Sequence, residues 1–246
     1  CTFKPNISFL ALNTKQNTIT ANIKAANQLV PYLRECALVH GWSSRTFEIA
    51  WWLHKRLNKP AICTLHDHPK AQFITPSRQH VMQWAASHLD GLVCVSNGVR
   101  NACVAAGYRT SLSVIYNGLV DENQQKCPPS KNNVVRAGFL GMNAPRKGYR
   151  IIEKWIRQTE GQQIEWHLYG DAHESYQAEA ARLADVYPGR VFLHGRKPSS
   201  TIYSQIDLLI SPAVEFEPIP TVLLEAACDD LPVVTTDLGG SVEIDS

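Results

Sequence analysis

The stretch Phe139-Leu140-Gly141-Met142-Asn143-Ala144-Pro145-Arg146-Lys147-Gly148 carries the chain out of an apolar run and into a helical pattern. Upstream, Val134 to Leu140 is short and apolar, the mark of a strand buried on both faces of a parallel sheet. Downstream, Ile151, Ile152, Trp155 and Ile156 recur at helical spacing. The same unit repeats in both directions. Further strand-like runs are Ala37 to His40, Ala61 to Leu65, Leu92 to Val95 and Leu112 to Ile115, then Ile164 to Tyr169, Val191 to His194, Asp207 to Ile210 and Pro232 to Thr235. Between them lie helical patterns such as Phe47, Trp51, Leu53 and Leu57, or Val81, Trp84, Ala85 and His88. This alternation predicts βαβ units and doubly wound parallel sheets.

A length of 246 residues fits one large domain or two of about 120. Asn117 to Asn133 divides the pattern, because Asn117-Gly118, a polar run and Cys127-Pro128-Pro129-Ser130 offer little to bury. The expected organisation is an N-terminal domain over residues 1–118, a linker over 119–133 and a C-terminal domain over 134–246. Each half shows about five strands, with Ile7 to Leu12 a doubtful member. A helix is expected to begin after Gly239-Gly240, so both ends read as incomplete. Charge separates the halves as well: 12 Lys/Arg face 4 Asp/Glu up to residue 120, and 12 face 18 beyond it. A basic half attracts phosphates or anionic lipid surfaces. Its dispersed cations and lack of a recognised motif argue against nucleic acid. No apolar stretch reaches the roughly 18–20 residues of a membrane span, and no secretory signal precedes the globular pattern. Seven scattered cysteines without a C-x-x-C pair point to a reducing, cytoplasmic setting, with Cys63 and Cys94 as core residues. The sequon at Asn6 carries little weight there.

No G-x-G-x-x-G and no G-x-x-x-x-G-K-[ST] occurs, which lowers the case for dinucleotide oxidoreductases and P-loop hydrolases. Open α/β sheets bind ligands beyond the carboxyl ends of their strands. Four strand ends stand out. Thr64-Leu65-His66-Asp67-His68 sets a histidine before a carboxylate, suited to acid–base work or hydrogen bonding; a metal pair of His66 and His68 lacks a third ligand. A loop histidine bonded to backbone is the plain alternative. Arg146 and Lys147 lie beside a helix start, where free N–H groups and the dipole favour an anion, unless they form only a solvated turn. In Glu217-Pro218-Ile219-Pro220-Thr221-Val222-Leu223-Leu224-Glu225, Pro220 suits a first helical position and leaves the Thr221 and Val222 N–H groups for a phosphate. Eight residues of helix span about 12 Å, roughly a sugar, diphosphate and ribose between two acids. Otherwise, Glu217 merely favours the helix start and Glu225 is solvated. Finally, Thr236 to Glu243 is a Gly-rich turn and a weak anion-loop signal.

Taken in order, these segments resemble glycosyltransferase family 4, the retaining nucleotide-sugar glycosyltransferases. The resemblance rests on the E-x7-E pattern from Glu217 to Glu225, Leu231 to Val234, and Gly239-Gly240 with Glu243. It extends to Ser113 to Val120, Phe139 to Gly148, Thr64 to Asp67 and Val93 to Gly98. It implies the glycosyltransferase B fold: two Rossmann-like doubly wound parallel-sheet domains facing each other across a cleft. It further implies that Glu217 binds hydroxyls of the transferred sugar, Glu225 holds the ribose, and Lys147 with Arg146 neutralises the departing diphosphate. Main chain near Arg196 and Lys197 would seat the nucleobase, His66 would line the acceptor side, and Asn117 is a weaker cleft residue. No metal or other cofactor is expected. The implied partners are a nucleotide sugar, a sugar or lipid-linked acceptor and a peripheral anionic membrane.

Two departures bear on the resemblance. Met142 stands where the family usually has Arg, which removes one diphosphate contact. Pro218-Ile219-Pro220 replaces the commoner Gly-Phe-Gly and removes two possible N–H donors. Read as incomplete at both ends, the chain is expected to be inactive by itself even where the whole protein is an enzyme. The competing readings are a non-catalytic nucleotide-sugar-binding or interaction module and a sugar-nucleotide epimerase of the same fold.

Overall fold

A computed structural model describes residues 18–119, 133–142 and 144–244. They fall into two units: residues up to Val95 with Val99–Ile115, and Ser96–Gly98 with Tyr116 onward. The division at Ile115 comes just before the expected boundary at 118. Most of the expected linker 119–133, the doubtful strand Ile7 to Leu12, the sequon at Asn6, and the residues Cys1, Cys127 and Asn143 lie outside the described residues.

The first unit carries the strands β1 (Val39–Gly41), β2 (Ala61–Leu65), β3 (Gly91–Cys94) and β4 (Leu112–Val114), all parallel and in the order β1-β2-β3-β4. Its helices are α1 (Ile19–Leu29), α2 (Phe47–Leu57), α3 (Pro76–Ala86) and, from Val99 onward, α4 (Asn97–Ala105). Each parallel crossover needs its helix, which is why strand and helix alternate. Thr75 caps α3 by accepting from the Arg78 N–H at 3.3 Å, with Pro76 at the first turn. Beneath these helices Glu48 is buried and bonded to Asn22 Nδ2 at 2.6 Å and to the Arg78 guanidinium. Cys63 and Cys94 are fully buried, as their apolar surroundings predict.

The second unit is a five-stranded parallel sheet of β5 (Val135–Leu140), β6 (Ile164–Tyr169), β7 (Val191–Gly195), β8 (Leu208–Ser211) and β9 (Val233–Thr235). Its order is β7-β6-β5-β8-β9, so the winding reverses between β5 and β8. The helices are α5 (Tyr149–Gln158), α6 (Gln177–Val186), the short α7 (Ser199–Ile202) and α8 (Thr221–Cys228). Alternate residues feed opposite cores. Trp166 and Leu168 join Phe139, Ile152 and Ile156 on one face, and Tyr169 joins Ile202, Tyr203, Ile206 and Leu223 on the other. After Gly240 the chain forms a 3-10 turn over Ser241–Glu243 rather than the expected longer helix. No helix among the described residues is long and apolar enough to cross a membrane.

On the outer part of this sheet, His167 Nδ1 lies 2.8 Å from His194 Nε2 and His167 Nε2 lies 3.3 Å from Glu165 Oε2. The two imidazoles stack with Phe192 and Tyr169. Burial holds both histidines below their ordinary pKa; His167 and then Lys197 add to this at His194, and at His167 Arg136 adds to it while Glu165 and Asp207 oppose it. The folded protein therefore keeps them neutral where the unfolded chain takes up protons. Stability is full above about pH 6.5 and falls as pH drops toward the lowered folded values, at a slope of at most about 1.4 kcal/mol per pH unit per histidine. Melting temperatures should fall from pH 7.5 to 5.5, and fall less in His194→Phe; an equal fall in both would count against this ladder as the source.

Candidate active site

The carboxyl ends of β5 and β8 meet where the strand order reverses, the usual ligand crevice of an open α/β sheet. Beyond β5 the chain turns through a 3-10 segment, Pro145–Lys147, and Gly148 before α5 starts. Beyond β8 it runs through Pro212 to Glu217 and enters α8. The two loops are tied together, with the Val214 N–H donating to the Arg146 carbonyl at 2.9 Å. Gly148 makes this approach possible. Its φ is +88°, and a Cβ there would sit 1.8 Å from the Pro212 carbonyl oxygen.

Glu217 is only 4% exposed, and both of its oxygens are engaged. Lys147 Nζ donates to Oε2 at 2.9 Å, and the Arg146 guanidinium donates to Oε1. One carboxylate faces two cations, and because both cations are partly exposed to solvent, an anion arriving there can pair with the excess positive charge. Arg146 remains half-exposed, so a ligand can reach it from solvent. The expected trio of Arg146, Lys147 and Glu217 is therefore a single cluster.

Pro220 is the N-cap of α8 rather than its first helical residue, and no side chain caps this end. Thr221 and Val222 then hold the first two helical positions, whose N–H groups have no acceptor inside the helix. Only four residues of the E-x7-E stretch beyond Thr221 are helical, so the expected 12 Å helical spacing of the two acids does not apply; Glu217 reaches the site from the preceding loop. Gly239-Gly240 likewise differs from an anion loop. The Gly240 N–H donates to the Glu217 carbonyl at 2.8 Å, and a Cβ at Gly239, where φ is +69°, would come within 2.1 Å of that oxygen. The turn props up the Glu217 backbone.

Met142, where the resemblance led one to expect a missing diphosphate contact, lies in the core. Its side chain is buried in the core with Phe139, Tyr149 and Tyr176, and its carbonyl accepts from the Tyr176 hydroxyl and the His173 N–H. The residue fills one face of the sheet and brings no cation to the crevice.

Glu225, one helical turn beyond Thr221, accepts at 2.6 Å from the hydroxyl of Tyr203, a residue the sequence pattern did not single out. Arg196, just past β7, is exposed and paired with Asp171 at 2.7 Å, with Lys197 exposed beside it. Asn117 is half-buried in the segment after β4. His66 belongs to the first unit, beyond β2. Its ring lies 4.9 Å from that of Trp42, its Nε2 is buried with no hydrogen-bond partner, and burial, with a smaller contribution from His40, holds its pKa below the ordinary value against the pull of Asp67. The exposed Trp42 is a second feature that alternation alone could not reveal. Among the described residues no three His, Cys, Asp or Glu side chains gather into a metal-binding group.

Residues 8–123 match the family model described as Glycosyltransferase Family 4, and residues 134–246 match Glycosyl transferases group 1. No curated protein matches the chain. Among solved structures, Anabaena Alr3699/HepE in complex with UDP-glucose is 22% identical with a TM-score of 0.75, over 89% of this chain and 65% of that one. Sucrose-phosphate synthase from Thermosynechococcus elongatus is 17% identical with a TM-score of 0.71, over 90% and 62%. The lipopolysaccharide outer core galactosyltransferase WaaB, in its apo form, is 16% identical with a TM-score of 0.69, over 91% and 63%. At these identities the likeness is one of fold. The chain spans slightly less than two thirds of the length of each of these three structures.

Proposed function

Because this chain belongs to glycosyltransferase family 4 and has the glycosyltransferase B fold, we propose that it moves a sugar from a nucleotide-diphosphate donor to a glycan or lipid-linked acceptor, with retention at the anomeric carbon. The observation that carries this reading is the buried Glu217 bonded to both Lys147 and Arg146 at the reversal point of the sheet, four residues before the uncapped start of α8. The complex of HepE with UDP-glucose supports a nucleotide sugar as the donor class.

On this reading the diphosphate displaces part of the cation–carboxylate cluster. Lys147 and Arg146 pair with it, and the Thr221 and Val222 N–H groups donate to it. Glu217, partly released, accepts from hydroxyls of the sugar. In the reaction the bond from the anomeric carbon to the β-phosphate oxygen breaks and the oxygen keeps the electron pair. The acceptor oxygen bonds to that carbon from the vacated face and passes its proton to a phosphate oxygen. Charge develops on the leaving diphosphate, where fixed cations and a helix start stabilise it without help from a divalent ion. Main chain near Arg196 and Lys197 takes the nucleobase and Glu225 the ribose, with Asn117 a lesser contributor. His66, kept neutral by burial, serves the acceptor side.

The test is incubation of the protein with UDP- and GDP-sugars and an oligosaccharide or lipid-linked acceptor in the presence of EDTA. A product with the donor's anomeric configuration by NMR is expected. Nucleotide binding with no transfer and no donor hydrolysis would instead identify a binding module, and absence of both would reject the reading.

A further inference from the structure

Tyr203 sits in a 3-10 turn after α7, 2% exposed, with its ring packed among Ile202, Ile206, Leu209, Leu223 and Ala226. Its hydroxyl has two neighbours: Glu225 Oε2 at 2.6 Å and the Val222 carbonyl at 3.3 Å. A phenol has one proton to give, and the shorter, charge-assisted bond takes it. A glutamate on a half-buried helix face otherwise rotates freely about three bonds. Here one oxygen is fixed to a ring that the core holds still, and the other is left to accept.

We infer that Tyr203 is a positioning residue that turns the Glu225 carboxylate toward the ribose hydroxyls of the donor nucleotide; this rests on the donor site proposed above. The helix supplies the spacing. Glu225 follows Thr221 by four residues, so it lies on the same face about 6 Å further along. A diphosphate at the helix start thus places its ribose about one turn down, beside a carboxylate already oriented. Vicinal hydroxyls are two adjacent donors, and they meet a carboxylate well only when its plane is set. Burial first, and then Glu225 itself, push the Tyr203 phenol well above its ordinary pKa, so it stays a donor at working pH.

Tyr203→Phe keeps the ring and removes only the hydroxyl. Dissociation constants for UDP, 2′-deoxy-UDP and 3′-deoxy-UDP, or for the guanosine set where GDP binds better, give a ribose discrimination ratio for each protein. The wild type is expected to lose about tenfold in affinity for each missing hydroxyl, and in Tyr203→Phe that ratio should fall to about threefold or less. A tyrosine that served packing alone would shift all three constants together and leave the ratio untouched. Glu225→Asp withdraws the carboxyl from Tyr203 without disturbing the core, and the same fall is expected there, which decides the matter if Tyr203→Phe does not fold. Full discrimination retained in the folded variants, or none in the wild type, overturns the inference while the donor site stands. A wild type that binds no nucleoside diphosphate brings down the donor-site reading itself.

Discussion

Lys147→Ala lowers turnover about 10²–10³-fold while the protein stays folded. The magnitude is that of removing one preorganised group from a developing oxyanion. Lys147 Nζ lies 2.9 Å from Glu217, and with Arg146 it is one of the two cations paired with that carboxylate. Arg146 cannot substitute fully, because it is half-exposed and part of its charge is spent on water. It does keep Glu217 from being left buried without a partner, which confines the damage to the chemistry. Lys147→Arg should recover part of the rate, since the charge returns with a different geometry. Single-turnover and steady-state rates with saturating donor check this. A loss under about threefold would mean that the lysine does not meet the leaving group.

The second large effect comes from a methyl group. Gly148→Ala puts a Cβ 1.8 Å from the Pro212 carbonyl oxygen, and the position has φ +88°. The left-handed backbone alone costs an L-residue about 1–2 kcal/mol. The collision is with main chain, so no rotamer relieves it, and the loop after β5 must move away from the end of β8. That movement breaks the Val214 to Arg146 hydrogen bond and draws Lys147 off Glu217. The expected result is a melting temperature lower by about 5–10 °C together with a loss of turnover at least as large as that of Lys147→Ala. Near-native values of both would show that the two loops need not touch for the site to form.

Alternation of short apolar runs with helical spacings made the two parallel sheets legible, because strands covered on both faces are mostly apolar even where residues such as Arg136, Glu165 and His167 interrupt them. Boundaries shifted by one or two residues: β8 begins at Leu208, not Asp207, whose side chain instead pairs with Arg136, and β1 runs on to Gly41. The cluster of Arg146, Lys147 and Glu217 was legible for a different reason. Each residue follows a strand, and strand ends in such sheets converge. What the sequence hid were contacts between distant segments. Met142 has its carbonyl bonded to the Tyr176 hydroxyl 34 residues away. The Gly239-Gly240 turn looked like an anion loop, whereas it spends an N–H on the Glu217 backbone. Tyr203 lies 22 residues from Glu225, and no periodicity links a core ring to a carboxylate that far along the chain.

The most direct test of a diphosphate seat on Lys147 is the ratio of dissociation constants for UMP and UDP, or GMP and GDP, in the wild type and in Lys147→Ala. The β-phosphate should tighten wild-type binding at least about tenfold, and that advantage should shrink to about twofold or less without the lysine. Equal affinities for mono- and diphosphate in the wild type, or an advantage indifferent to Lys147, would contradict it.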